Sequence, residues 1–118
     1  MEKLRVGVVG LGSIAELHLS AYRDVPEIEV VAGAEPDPGR RGAACSRWGL
    51  RGYASYGEML RRERLHIACV LTPPVGRRAV VEEIAASGVH VLCEKPMALT
   101  LAEAESMTAA CERAGVAF

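Results

Sequence analysis

A glycine-rich turn near the amino terminus restricts the fold more than any other feature of the sequence. The turn, Gly10-Leu11-Gly12-Ser13-Ile14-Ala15, follows an apolar run from Leu4 to Val9 that only Arg5 and Gly7 interrupt. Such a run is typical of a strand covered on both faces of a parallel sheet. Apolar residues then recur at helical spacing from Ser13 to Tyr22, and Ser13 and Glu16 have the spacing of a capping box. The sequence thus predicts a strand, a tight turn and a helix, in that order.

The same alternation continues along the chain. Further strands are predicted at 28–34, 67–71 and 89–93, with a weaker one at 51–54 and the beginning of another at 116–118. Further helices are predicted at 39–48, 55–62, 77–87 and 100–114; Ser55 and Thr100 each precede a glutamate at capping-box spacing, and Arg78 and Glu82 form an i,i+4 pair. This order predicts an α/β fold with a doubly wound parallel sheet, in one domain spanning residues 1–118.

Length and composition exclude several classes of protein. The 118 residues suit one domain and are too few for a cofactor domain plus a substrate domain. Fourteen basic and fifteen acidic residues argue against a nucleic-acid partner. Short apolar runs and the lack of a signal-peptide pattern favour a cytoplasmic protein without membrane contact. No C-x-x-C pair occurs, so we expect free structural thiols and no metal site; the cysteines are Cys45, Cys69, Cys93 and Cys111.

The glycine turn has the G-x-G-x-x-A form of a dinucleotide-binding fingerprint. The first glycine permits the tight turn, the second lets a pyrophosphate approach the backbone, and Ala15 lets the helix pack closely on the strand. The helix that starts at Ser13 directs unpaired N–H groups at the phosphates, so no lysine or arginine is needed there. A plain tight turn has the same pattern, but the preceding strand and following helix favour a cofactor site formed by Gly10, Leu11, Gly12, Ser13 and Ile14.

The second predicted strand ends in Glu35, about where a carboxylate that binds the adenosine ribose is expected. Asp37 competes for this role, and Glu35 could instead be a solvated turn residue. A carboxylate there repels the 2′-phosphate of NADP, so we expect NAD as the cofactor, with NADP disfavoured. Arg40 lies five residues further on and could pair with that phosphate, which would offset part of the repulsion.

Five segments together resemble the N-terminal domain of the Gfo/Idh/MocA oxidoreductases, and the resemblance covers essentially the whole chain. They are the turn at 10–15, Ala34-Glu35-Pro36-Asp37-Pro38, Val70-Leu71-Thr72-Pro73-Pro74, Gly88-Val89-His90-Val91-Leu92-Cys93-Glu94-Lys95-Pro96 and Ala114-Gly115-Val116. Glu94-Lys95-Pro96 is the most specific piece.

This resemblance implies that Lys95 is catalytic, beside the nicotinamide and the reacting hydroxyl, with Glu94 in the same site. Thr72 and Pro73 match the loop that flanks the nicotinamide ribose. An ordinary surface lysine and a plain strand-ending turn are the alternatives. Arg77 departs from the family, since many relatives have histidine there; we place it in the cofactor site with an altered or charged contact. Three histidines are expected to pack, hydrogen-bond or begin a strand rather than catalyse: His18, His90 and His66.

The resemblance also implies hydride transfer between NAD(P) and a secondary alcohol or carbonyl of a sugar, cyclitol or similar small molecule. Full-length members add a second domain that supplies proton transfer, and we expect this chain to lack it. We therefore expect a fragment that binds cofactor without turnover, whose C-terminal substrate domain is absent and whose open sheet edge could pair with another copy. The alternatives are a stand-alone dinucleotide-binding or redox-sensing module and a domain with a purely structural role.

Overall fold

Five parallel strands form one sheet in the computed structural model, which describes residues 2–118. The strands are β1 (Leu4–Val9), β2 (Ile28–Ala34), β3 (Arg51–Tyr53), β4 (Ile67–Val70) and β5 (His90–Cys93). They lie in the order β3-β2-β1-β4-β5, and every neighbouring pair is parallel. The chain therefore builds outward from β1 in one direction through β3 and in the other through β5. This is the predicted doubly wound sheet, and its reversal of strand order beside β1 is where such sheets bind ligands.

Five helices cover the two faces of the sheet. They are α1 (Ser13–Tyr22), α2 (Pro38–Trp48), α3 (Tyr56–Arg62), α4 (Arg77–Ala86) and α5 (Leu101–Ala114). Ala15 and Leu19 of α1 pack with Ala44 of α2 on one face, whereas α3, α4 and α5 enclose the other core. Gly7 lets α3 approach β1 closely, because a Cβ there would lie 2.6 Å from a methyl carbon of Leu65 and 3.1 Å from Met59.

The helix starts confirm two of the predicted caps and correct a third. Ser55 accepts a hydrogen bond from the Glu58 N–H at 3.2 Å, and Thr100 accepts one from the Glu103 N–H at 3.1 Å. The predicted cap at Ser13 is wrong, because Gly12 is the N-cap of α1 and Ser13 already lies in the helix. The chain enters α1 directly from the tight turn, so no side chain caps its first N–H groups.

The prediction of a strand at 116–118 is also wrong, since these residues form neither a strand nor a helix. The segment lies beside β5, where the Val91 N–H donates to the Ala117 carbonyl at 3.0 Å. The Ala117 N–H donates to Nδ1 of His90 at 2.9 Å, so a side chain takes a donor that a strand ladder would use. His90 thus hydrogen-bonds, as expected.

An ion cluster around the buried Glu63, which we call the Glu63 cluster, lies at the amino-terminal edge of the sheet. Glu63 accepts two hydrogen bonds from the Arg51 guanidinium, at 2.6 and 2.7 Å, and one from Arg5 at 3.0 Å. The Tyr53 hydroxyl donates to the same carboxylate at 2.5 Å. The Arg51 guanidinium lowers the pKa of Glu63 to about 2. These charges join the starts of β1 and β3 to the end of α3.

Candidate cofactor-binding site

A cleft of about 1080 Å³ lies at the carboxyl-terminal edge of the sheet, opposite the Glu63 cluster. Its walls contain eleven of the twelve predicted site residues, namely Gly10, Gly12, Ser13, Ile14, Glu35, Arg40, Thr72, Pro73, Arg77, Glu94 and Lys95. Leu11 differs, because its side chain is buried in the core against Gly33. The fold therefore brings together residues that lie as much as 85 positions apart between Gly10 and Lys95.

Glycine is needed at the two positions of the turn for different reasons. Gly10 has a φ of 94°, and a Cβ there would lie 2.9 Å from the Thr72 methyl and 3.1 Å from the Thr72 nitrogen. Gly12 has an extended backbone, and a Cβ there would meet no atom within 4 Å. Gly10 is thus required by the fold, whereas Gly12 leaves space open in the cleft.

The start of α1 fits a dinucleotide pyrophosphate. The first N–H groups of a helix have no partner within the helix, and no side chain caps α1. Ser13 and Ile14 line the cleft beside Gly12, where an added Cβ would meet no protein atom within 4 Å. Backbone donors at the positive end of a helix dipole bind phosphate without a cationic side chain.

Glu35 connects the glycine turn to the end of β2. One carboxylate oxygen accepts the Leu11 N–H at 3.1 Å, and the other accepts the Asp37 N–H at 3.0 Å. Each carboxylate oxygen still has a lone pair that can accept a ribose hydroxyl. Asp37 instead caps α2 by accepting the Arg40 N–H at 2.8 Å, and it does not line the cleft. The geometry favours Glu35 over Asp37 as the ribose ligand.

Lys95 lies just after β5, across the cleft from Glu35, and its side chain is exposed. The peptide bond between Lys95 and Pro96 is cis. The neighbouring Glu94 is held by α1: one carboxylate oxygen lies 2.6 Å from Nε2 of His18, and the other accepts the Lys95 N–H at 2.9 Å. The hydrogen bond from His18 lowers the pKa of Glu94. Nδ1 of His18 lies 2.7 Å from the Tyr22 hydroxyl. His18 thus hydrogen-bonds, as expected, and fixes the residue before Lys95.

Arg77 lies at the floor of the cleft with only 2% of its surface exposed. Its guanidinium donates to the Glu94 carbonyl at 2.5 Å and to the carbonyls of Thr72 and Pro96. Nε is buried without a hydrogen-bond partner. The altered contact expected at this position is therefore a bridge between two loops of the protein.

Sequence reasoning missed several residues of this site. Ser55 and Tyr56, just after β3, and Val75, Gly76 and Val80 around the start of α4 also line the cleft. The weak strand predicted at 51–54 could have indicated Ser55 and Tyr56, because residues that follow a parallel strand lie at the carboxyl-terminal edge of the sheet. The contact between His18 and Glu94 had no signal in the local pattern.

Other site classes are not represented in the described part of the chain. Across residues 2–118, no three His, Cys, Asp or Glu side chains are grouped as metal ligands. No helix within these residues has the length and apolar character needed to cross a bilayer. All four cysteines are free thiols, as expected, with Cys69 and Cys111 buried.

Comparisons with known proteins agree with this geometry. The family model of the Gfo/Idh/MocA oxidoreductases, an oxidoreductase family with an NAD-binding Rossmann fold, matches residues 4–118. D-apiose dehydrogenase of Paraburkholderia graminis is 39% identical over 117 residues, which are 98% of this chain and 31% of that protein. Inositol 2-dehydrogenase of Leifsonia xyli is 37% identical over 102 residues, or 86% of this chain and 30% of that protein.

A solved structure gives the same match in three dimensions. The WlbA dehydrogenase from Bordetella pertussis, in complex with NADH and UDP-GlcNAcA, superposes with a TM-score of 0.94. The two sequences are 32% identical, over 98% of this chain and 35% of that chain. The chain thus spans about a third of the length of these relatives.

Proposed function

The chain belongs to the Gfo/Idh/MocA family of NAD-binding oxidoreductases, and from this premise we propose that residues 1–118 are the cofactor-binding domain of a dehydrogenase. The reaction is hydride transfer between NAD and a secondary alcohol or carbonyl of a sugar, cyclitol or similar small molecule. One observation carries the proposal: a single cleft joins the uncapped start of α1, the Glu35 carboxylate and the Lys95 side chain.

The residues that would hold the cofactor lie at the point where the strand order reverses. The N–H groups of Ser13 and Ile14 hold the pyrophosphate, and Glu35 accepts the hydroxyls of the adenosine ribose. Thr72 and Lys95 would then flank the nicotinamide end, because Glu35 follows β2 on one side of β1 while Lys95 follows β5 on the other. When bound, NAD supplies the hydride acceptor and its reduced form the donor.

Lys95 acts on the oxygen of the reacting carbon. Its side chain forms no salt bridge within residues 2–118, so the ammonium group is free to approach an oxygen that gains negative charge in the transition state. The neighbouring His18 is occupied by Glu94 and Tyr22, so it is not placed to exchange a proton with substrate. We therefore expect this chain to bind the cofactor but to show no measurable turnover of sugars or polyols. Turnover needs both groups that bind the substrate and a group that exchanges its proton.

The test is titration of NADH by its fluorescence, with Gly12→Ala as the informative variant. The added methyl contacts no protein atom but occupies the approach of the pyrophosphate, so we expect unchanged folding and at least about tenfold weaker NADH binding. Gly42→Ala in α2 is the matched control, since its Cβ also meets nothing within 4 Å and it does not line the cleft. A folded chain with no saturable NADH binding would refute the proposal.

A further inference from the structure

Arg77 is a buried cation that no carboxylate in the described chain neutralises. Its exposed fraction is 2%, and none of the salt bridges formed within residues 2–118 includes it. Buried charges are ordinarily paired, as Glu63 is with Arg5 and Arg51. An arginine keeps its charge at any pH at which a protein is folded, so Arg77 cannot relieve the burial by losing a proton.

The groups nearest to Arg77 stabilise its charge without cancelling it. The carboxylate of Glu94 is directed at His18 and at the Lys95 N–H, and only its backbone carbonyl accepts from Arg77. Burial raises the pKa of the Cys93 thiol beside it, so this group is uncharged at neutral pH. The three carbonyl partners contribute dipoles, whose field decays faster with distance than that of a net charge.

The Arg77 guanidinium lies at the end of the cleft that the proposed function assigns to the nicotinamide. Thr72 follows β4, and Glu94 and Pro96 follow β5, so the guanidinium lies beneath the two loops on the side of β1 that the proposed function assigns to the nicotinamide. The oxidised nicotinamide ring carries a positive charge and the reduced ring does not. All other groups of the two cofactor forms are the same.

We infer that Arg77 makes the site discriminate against the oxidised ring, so that it raises the ratio of the NAD⁺ dissociation constant to the NADH dissociation constant. This inference rests on the proposed function and adds to it a residue that shifts the equilibrium between the oxidised and reduced cofactor when it is bound. A site that holds the reduced form more tightly favours reduction of its bound cofactor by thermodynamic linkage. On the protein, this shift favours alcohol oxidation among the bound species, in which the carbinol C–H hydride passes to the ring and the hydroxyl proton passes to solvent.

The experiment measures both dissociation constants, NADH by fluorescence and NAD⁺ by competition against NADH. Arg77→Gln removes the charge and keeps two N–H donors, so the ratio should fall about three- to tenfold, as expected for one charge pair attenuated by an effective dielectric above about 20. Arg77→Lys keeps the charge and should keep the ratio within about twofold, even where both affinities fall. Arg78→Gln is the matched control, because Arg78 is exposed and pairs with Glu82 at 2.7 Å.

A second variant leaves Arg77 and its three hydrogen bonds in place. Cys93→Asp sets a carboxylate beside the guanidinium and should lower the ratio in the same direction as Arg77→Gln, which matters if Arg77→Gln does not fold. A ratio unchanged in the folded neutral variant or in Cys93→Asp overturns this inference alone and leaves Arg77 as a structural bridge. Failure of the unmodified chain to bind NADH overturns the proposed function as well.

Discussion

Glu63 and Glu35 are both buried glutamates, but they lie at opposite edges of the same sheet and have opposite kinds of partners. At the amino-terminal edge, Glu63 is bound by two arginines and a tyrosine hydroxyl. At the carboxyl-terminal edge, the Glu35 carboxylate accepts two backbone N–H groups and forms no salt bridge within residues 2–118, and Arg41 donates only to the Glu35 carbonyl. One edge satisfies its charges within the protein, whereas the other leaves carboxylate lone pairs and helix N–H groups open to a ligand and holds the Arg77 charge without a carboxylate partner. Stability and cofactor binding should therefore respond to mutation at different edges.

Removal of the Glu63 carboxylate should have the largest effect. Glu63→Ala leaves Arg5, Arg51 and Tyr53 without their acceptor, and the two arginines can be partly rehydrated, so we expect a loss of about 1 to 3 kcal/mol in the free energy of unfolding. Urea denaturation measures it. Glu58→Ala is the control, because Glu58 forms only a surface pair with Arg62 at 3.7 Å and should cost within about 1 kcal/mol. Equal losses in the two variants would contradict the distinction between the edges.

The same carboxylate predicts how stability depends on pH. The pKa of Glu63 is lowered from 4.5 to about 2 in the folded chain, so folding favours the ionised form. The stabilisation is fully present above the ordinary pKa and is lost as the pH falls from about 4.5 toward 2. Glu63→Gln should flatten the fall in unfolding free energy across that range. An unchanged slope would mean that other carboxyls cause the acid sensitivity.

A change at Glu35 should act on cofactor choice. Glu35→Ser removes the negative charge that faces a 2′-phosphate, so the preference for NADH over NADPH should fall by about ten- to a hundredfold. Titration of both reduced cofactors at one low salt concentration measures the preference. If the unmodified chain binds NADPH more tightly, or the variant gains nothing for NADPH, the ribose ligand is Asp37 or Arg40 instead.

The parts of the molecule that sequence predicted well are the local ones. The apolar run of β1, the tight turn at Gly10 and the caps at Ser55 and Thr100 depend on residues within a few positions of one another. Parallel strands then bring their carboxyl ends to one edge, which placed Glu35 in the predicted site, while the assignment of Lys95 to the same site also needed the resemblance to the family.

The features that could not be predicted from the sequence are contacts between side chains far apart along the chain. Glu63 and Arg5 are 58 residues apart, and His18 and Glu94 are 76 apart. Hydrophobic periodicity reports which face of an element is buried but carries no signal for such pairs. The burial of Arg77 is similar, because its charge predicts exposure while the carbonyls of two distant loops hold it inside.

The central claim is that the unsatisfied groups at the carboxyl-terminal edge are a dinucleotide site, independent of the cluster at the other edge. Unfolding free energy measured with and without NADH tests it directly, since a ligand that binds only the folded state adds about 2.7 kcal/mol at a hundredfold excess over its dissociation constant. We predict this gain in the unmodified chain and in Glu63→Gln alike, and no more than about 1.4 kcal/mol in Gly12→Ala at the same NADH concentration, because its binding should be at least about tenfold weaker. A folded, unmodified chain that NADH fails to stabilise, or an equal gain in Gly12→Ala, would contradict the account.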